Sequence, residues 1–119
     1  MATIDITEAQ FAQTIEENDI VFVDFWASWC GPCRMFAPVY EKAAAAYPDI
    51  VFGKVDTEAE QALASAAQIT SIPTLMAFKG GTLVFSQPGA LPAAALEEVI
   101  TAVRELDLET ALAEQRQSA

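Results

Sequence analysis

Two cysteines separated by two residues, Cys30 and Cys33, are the side chains of this sequence best suited to covalent chemistry. At this spacing the two thiols can close a small disulfide ring without moving the rest of a fold. The intervening Gly31 and Pro32 favour a fixed turn, and the apolar residues 20–27 before them place the pair between a strand and a helix. A thiolate, the nucleophile of disulfide exchange, is stabilised at a helix N-terminus. The motif therefore predicts thiol–disulfide exchange.

A structural zinc site and a purely structural disulfide are the alternatives for this pair. Structural zinc takes about four ligands, but the chain has no histidine and no third cysteine. A zinc site within one chain therefore does not fit, whereas zinc shared between two chains stays open. A disulfide that closes so short a loop removes little entropy from the unfolded chain, so it would stabilise the fold weakly. Redox chemistry is the favoured interpretation.

The composition indicates one compact, acidic domain. The chain has 119 residues, of which 53% are hydrophobic, and a net charge of −11, so nucleic acid and anionic membrane surfaces are not expected partners. No apolar run is long enough to span a bilayer, and the N-terminus lacks the pattern of a signal peptide. We therefore expect a cytoplasmic monomer, in a compartment where thiols stay reduced and cysteine pairs tend to be catalytic.

Hydrophobic patterning predicts strands and helices in the order βαβαβαββα. The uninterrupted apolar segment 20–27 is typical of a central strand. Right-handed crossovers make the early strands parallel, and a hairpin at residues 79–82 adds an antiparallel edge. The expected strands are residues 3–6, 20–27, 50–55, 72–78 and 83–86. These features predict an α/β fold with a central mixed five-stranded sheet flanked by about four helices.

Asp24 is the one charged residue in the predicted central strand. Alternation places it on the same face as Phe22 and Trp26, and since both faces are apolar, we expect Asp24 to be buried. Burial raises the pKa of an unpaired carboxylate. A carboxylate of this kind beneath two thiols would be a proton acceptor for Cys33; the alternative is a hydrogen-bonded structural aspartate.

Three separate segments of the chain resemble the thioredoxin family. They are the run Phe25–Cys33, which contains Trp-Cys-Gly-Pro-Cys, the Ile-Pro-Thr sequence at residues 72–74, and the Pro-Gly-Ala turn at residues 88–90. The resemblance covers roughly residues 3–104 and implies the thioredoxin fold. It implies a domain over residues 1–106 and leaves residues 107–119 as a polar C-terminal extension of unknown role, which forms either a short extra helix or a frayed end.

The resemblance also implies a role for each catalytic candidate. Cys30, which precedes the helix and should be the more exposed thiol, would attack the substrate disulfide. Cys33 would then resolve the mixed disulfide. Asp24 would accept the proton of Cys33, and Lys54 occupies the family position of a lysine beside this aspartate. The alternative for Lys54 is an exposed lysine at a strand end.

A substrate groove near the cysteines is a further implication of the resemblance. Pro73 is expected to follow a cis peptide bond, although only about 5% of bonds before proline are cis in folded proteins. The sequence departs from the family pattern at Pro88, where a β-branched residue is common, and at Arg34, where lysine is common. The expected groove residues are Trp29, Gly31, Pro32, Ile72, Pro73, Gly89 and Ala90.

Together these features predict a protein-disulfide reductase that acts as an electron carrier. No bound cofactor or metal is expected; electrons would come from NADPH through thioredoxin reductase, and client proteins that contain disulfides would receive them. Two other classes stay open. One is an oxidase or isomerase of the same fold, and the other is a non-enzymatic binding subunit that uses the acidic surface or the C-terminal extension.

Overall fold

A computed structural model of the chain describes residues 2–118. Five strands and five helices alternate in nearly the predicted order. The strands are β1 (Ile4–Asp5), β2 (Ile20–Trp26), β3 (Val51–Asp56), β4 (Thr74–Lys79) and β5 (Thr82–Pro88). The helices are α1 (Glu8–Glu17), α2 (Gly31–Ala46), α3 (Gln61–Ala66), α4 (Ala93–Glu105) and α5 (Leu108–Ser118). No helix within residues 2–118 has the length and apolarity that crossing a membrane requires.

The strands form one mixed sheet in the order β1-β3-β2-β4-β5. Strands β1, β2 and β3 are parallel, whereas β4 runs antiparallel to β2 and β5 antiparallel to β4. The predicted mixed five-stranded sheet and the central position of β2 are therefore confirmed. Because β2 has neighbours on both edges and helices on both faces, its five central residues are buried.

The side chains of β2 alternate between two hydrophobic clusters, one on each face of the sheet. Phe22 packs with residues of α2 and α4, whereas Val21, Val23 and Phe25 pack with residues of α1 and α3. Asp24 shares the face of Phe22, as the alternation predicted, and is only 1% exposed. The expectation that Asp24 is buried is confirmed.

Residues 108–118 form a helix, α5, so the structure has one helix more than the four expected. Lys79, the last residue of β4, stabilises the junction between α4 and α5. The Lys79 ammonium donates hydrogen bonds of 2.8, 2.9 and 2.9 Å to the carbonyl oxygens of Val103, Arg104 and Leu106. The Val103 carbonyl oxygen also accepts the N–H of Leu106, the C-cap residue of α4, and carbonyl groups at a helix C-terminus favour a nearby cation.

Gly53 lies in the middle of β3 at a position that leaves no room for a side chain. A Cβ atom there would clash with the side chain of Ile6 and would lie 3.5 Å from the carbonyl oxygen of Phe22. The Gly53 carbonyl oxygen also accepts a 2.8 Å hydrogen bond from the buried hydroxyl of Tyr40. This close packing fixes β3 next to β2, where the following residue, Lys54, pairs with Asp24 in register.

Replacing Gly53 by alanine should therefore destabilise the protein through overpacking. We expect Gly53→Ala to lower the free energy of unfolding in urea by about 1–3 kcal/mol. Ile6→Ala provides the matched control, because it removes the side chain that clashes. The double variant should lose less than the sum of the two single losses; additivity within about 0.5 kcal/mol would show that the two sites do not touch.

Candidate active site

The two cysteines lie where β2 gives way to α2, and they form a disulfide with Cα atoms 5.2 Å apart. Gly31 and Pro32 are the first residues of α2, and Cys30 is its N-cap residue. The sulfur of Cys30 accepts a 3.2 Å hydrogen bond from the backbone N–H of Cys33. An N–H that has no partner inside the helix thus points at the sulfur, and the same bond would stabilise a thiolate on Cys30.

The expectation that Cys30 is the more exposed thiol is wrong for the disulfide form. Cys30 is 4% exposed and Cys33 3% exposed, so accessibility does not distinguish them. Both pack with Ala27, and the side chains of Trp26 and Ile72 cover the cluster. Their positions on α2 do distinguish them, because Cys30 caps the helix while Cys33 lies within its first turn.

Two loops from distant parts of the chain meet beside the disulfide. The peptide bond between Ile72 and Pro73 is cis, as the resemblance implied. The Pro73 carbonyl oxygen accepts a 2.8 Å hydrogen bond from the N–H of Gly89, which ties the start of β4 to the turn after β5. The sulfur of Cys30 lies 3.7 Å from the carbonyl oxygen of Ile72. Trp29, which directly precedes Cys30 in the sequence, is 64% exposed.

The predicted groove residues differ in how firmly the structure places them at the site. Ile72, Pro73 and Gly89 are joined to the cysteine pair or to each other by the contacts above. Ala90 is exposed and lies next to Gly89 in the turn that leads to α4. Pro32 is exposed on the first turn of α2, so it and Trp29 present apolar surface beside the disulfide.

A small cavity of about 80 Å³ lies beneath the disulfide, and Asp24, Cys33 and Lys54 line it together. Atom Oδ1 of Asp24 is buried, and no residue in the described part of the chain is its hydrogen-bond partner. This disfavours a hydrogen-bonded structural aspartate. Burial raises the pKa of Asp24 to about 7, although the positive charge of Lys54 acts to lower it. The carboxyl group can therefore gain or lose a proton near neutral pH.

Lys54 is half-buried within β3 and does not lie at an exposed strand end, which was its alternative placement. Its ammonium lies 4.8 Å from the centre of the Trp26 ring, a cation–π contact. Lys54 also pairs with Asp24 across the β2–β3 register. The aromatic ring and the carboxyl group together hold one positive charge at the edge of the cavity.

Two further residues near the site have contacts that sequence reasoning did not assign. Arg34, noted above only as a departure from the family pattern, donates a 2.9 Å hydrogen bond to the carbonyl oxygen of Ser28 and lines the cavity. Burial and the negative charges of Asp24 and Glu41 raise the pKa of Tyr40, the phenol bonded to Gly53. The sequence signal for Tyr40 was a hydroxyl group placed among apolar residues at helical spacing.

The residues that the structure describes contain no group of three or more histidine, cysteine, aspartate or glutamate side chains that could hold a metal ion. A sulfur pair that can be oxidised and reduced, a helix N-terminus that favours thiolate, and a nearby carboxyl group with a raised pKa suit thiol–disulfide exchange.

Comparison with known proteins supports this chemistry. Residues 2–102 match the family model described as thioredoxin. The chain is 55% identical to a protein named putative thioredoxin 2 from Streptomyces coelicolor, over 99% of this chain and 90% of that protein. It is 45% identical to thioredoxin 1 from a Nostoc species, over 83% and 94% of the two chains. The chain belongs to the thioredoxin family.

Solved structures from the thioredoxin family have the same fold. A thioredoxin from Plasmodium falciparum superposes with a TM-score of 0.77 at 38% identity, over 83% of this chain and 96% of that one. A mutant thioredoxin from Halobacterium salinarum gives a TM-score of 0.81 at 34% identity, over 88% and 94%. As a family member with a Cys30–Cys33 pair at disulfide distance, the protein is a thiol–disulfide oxidoreductase, and its substrates are disulfides.

The raised pKa of Asp24 predicts how stability depends on pH. Because the folded-state pKa of about 7 lies above the ordinary aspartate value of 3.8, the folded protein keeps the proton longer than the unfolded chain. The contribution of Asp24 to the free energy of unfolding should therefore be constant below about pH 4, fall between pH 4 and 7, and level off above. Asp24→Asn should abolish this fall and gain up to about 4 kcal/mol over the natural protein between pH 4 and 8.

Urea unfolding of the oxidised protein at pH 4, 6 and 8 checks this, with each variant compared with the natural protein. Asp19→Asn, at an exposed position, is the matched control and should follow the natural protein at every pH. Parallel pH dependences for Asp24→Asn and the natural protein would show that Asp24 ionises as readily in the folded state as in the unfolded state.

Proposed function

We propose that this protein reduces disulfides in client proteins by two successive exchange reactions. The thiolate of Cys30 attacks one client sulfur, the client disulfide breaks, and the other client sulfur leaves as a thiolate that takes up a proton. The thiolate of Cys33 then attacks the Cys30 sulfur and expels the first client sulfur. Two electrons pass to the client, and the protein is left with the Cys30–Cys33 disulfide.

The observation that carries this proposal is the position of the two sulfurs on α2. The Cys33 N–H points at the Cys30 sulfur at the helix N-terminus, so negative charge is favoured on Cys30, the residue assigned to attack. Cys33 is three residues further on, within disulfide distance, so it needs no rearrangement of the fold to resolve the mixed disulfide.

Asp24 is proposed to accept the proton of Cys33, and Lys54 is proposed to limit the rise in the pKa of Asp24. The thiol must lose this proton before Cys33 can attack, and Asp24 lines the same cavity with a pKa of about 7. A base whose pKa lies near the working pH transfers protons most effectively. Lys54 keeps the pKa of Asp24 from rising further, so part of the carboxyl population stays ionised and ready to accept a proton.

The groove that receives the client is proposed to run along Pro73, between Trp29 and the turn at Gly89 and Ala90. The bond between Gly89 and Pro73 joins the two walls, and an extended client segment would pair with the backbone of Ile72, which precedes Pro73. Ile72 places its carbonyl oxygen next to the Cys30 sulfur. Gly31 and Pro32 set the geometry of the cysteine loop.

The cellular context is also part of the proposal. A cytoplasmic, monomeric electron carrier would receive electrons from NADPH through thioredoxin reductase, because the sequence shows no cofactor motif of its own. Residues 1–106 would form the redox domain, in agreement with the family match over residues 2–102. Residues 107–119 would be an extension, and the match to the Streptomyces protein over 99% of this chain shows that a relative shares most of it.

Single cysteine variants separate attack from resolution. Reduced Cys33→Ser should accumulate a covalent complex with a disulfide client through Cys30, because nothing resolves the mixed disulfide. Reduced Cys30→Ser should form at least tenfold less complex, because Cys33 lies within the first turn of α2 and lacks the N-cap position at which a backbone N–H favours a thiolate on Cys30. Non-reducing electrophoresis and mass spectrometry of the adduct measure this. Equal complex formation by both variants would contradict the assigned order.

Insulin reduction coupled to NADPH oxidation, with a panel of flavoenzyme reductases, tests the complete electron path. We expect turnover with at least one thioredoxin reductase, and none with any of them would contradict the proposed role.

In the same assay Asp24→Asn should be at least tenfold slower near pH 7, because general-base catalysis contributes about 10²–10⁴-fold, and its pH profile should change. An unchanged profile would restrict Asp24 to a structural role.

A further inference from the structure

A second cavity lies beside the proposed client groove, between the loop that precedes β4 and the edge strand β5. Its volume is about 290 Å³. Two of the lining residues, Ser71 and Thr74, are close to Pro73 in sequence on either side, and another, Pro88, directly precedes Gly89. Because Gly89 and Pro73 are hydrogen-bonded to each other, the cavity and the groove share a wall.

The lining of this cavity combines an apolar floor with an uncharged polar rim. Ile69, Met76 and Leu83 contribute apolar surface, and Gln68 and Ser86 contribute polar groups. Leu83 is 46% exposed, so its apolar side chain is accessible to a ligand. No lining residue within the described chain is ionisable, although the chain as a whole carries a net charge of −11.

The loop that forms one wall is held in place by hydrogen bonds. The hydroxyl of Thr74 donates to the carbonyl oxygen of Ser71 at 2.6 Å, and the N–H of Gln68 donates to the carbonyl oxygen of Ser65 at 3.0 Å. Gln68 has a φ of 59°, a left-handed conformation that few residues other than glycine adopt. Such a conformation persists where the surrounding structure fixes it, so the cavity is formed before any client arrives.

Size and chemistry together restrict what the cavity can bind. Cavities for whole small molecules usually have about 300–1,000 Å³, so this one suits a single large side chain. A charged side chain would be desolvated there without a counter-ion. A purely apolar side chain would make no hydrogen bond with Gln68 or Ser86, whose polar groups are exposed at the rim. Tyrosine has a large apolar ring for the floor and a neutral hydroxyl for the rim.

We propose that this cavity is a specificity subsite that receives a tyrosine side chain of the client, located within a few residues of the cysteine under attack. The inference rests on the proposed function, because the client segment must lie along Pro73 for its neighbouring side chains to reach the cavity. Alternate side chains of an extended segment point the same way. One position in the client should therefore be favoured over the positions next to it.

Peptides that carry one cysteine in a disulfide with 5-thio-2-nitrobenzoate provide the test. The reduced protein gives up two electrons and two protons, becomes the Cys30–Cys33 disulfide, and releases the peptide thiol and the coloured aromatic thiol. Tyrosine is placed in turn at each of four positions on either side of the cysteine, with alanine elsewhere. At one position we expect the second-order rate constant to exceed that of the all-alanine peptide about tenfold. Phenylalanine there should gain less, and lysine or glutamate should gain nothing.

Two matched variants on β5 test whether the preference for tyrosine arises in this cavity. Ser86→Trp fills the cavity and should reduce the tyrosine-to-alanine rate ratio to about one. Gln87→Trp, at the next exposed position but outside the lining, should keep the ratio of the natural protein. Equal loss of the ratio in both variants would overturn the subsite.

The outcomes also separate this inference from the proposed function. If the all-alanine peptide is reduced but no tyrosine position gains more than twofold, the subsite is wrong and the redox function stands. If the all-alanine peptide is not reduced at all, the proposed function fails, and the subsite fails with it.

Discussion

Burial of β2 on both faces is the constraint on which the rest of this structure depends. A strand with neighbours on both edges and helices on both faces cannot slip by one residue, because a slip would exchange its two hydrophobic sets. Phe22 and Phe25 fix that register from opposite sides of the sheet. The register in turn places Asp24 beneath α2 and directs the end of the strand into the cysteine turn. The catalytic candidates are positioned by the core.

The site favours negative charge at one group and disfavours it at another. At Cys30 the end of α2 supplies an N–H at 3.2 Å, so charge on the sulfur is stabilised by a fixed dipole. At Asp24 the surroundings are apolar and charge is disfavoured, which raises the pKa to about 7. One group therefore holds a negative charge readily, while the other exchanges a proton near neutral pH. The positive charge of Lys54, held over the Trp26 ring, acts to lower the pKa of Asp24.

Sequence patterning located every strand, and the differences at the ends of elements have local causes. β4 begins at Thr74 and not at residue 72, because Pro73 has no N–H to donate to a neighbouring strand. α3 begins only at Gln61, since Asp56 Oδ1 accepts the Glu58 N–H at 2.9 Å and forms a turn before the helix. β5 continues to Pro88 because it pairs with Thr74 on β4. These causes are contacts between residues, which periodicity does not report.

The sequence by itself determined the chemistry of the pair, the mixed sheet and the burial of Asp24, because each depends on residue type and on spacing along one segment. Only the tertiary structure decided that both sulfurs are equally buried, that Lys54 lies over Trp26, and that Ile72 lies against Cys30 across 42 residues of chain. The cavity beside the groove likewise exists only where the loop before β4 meets β5. Contacts of this kind join segments that are distant in sequence, and no local pattern encodes the distance between them.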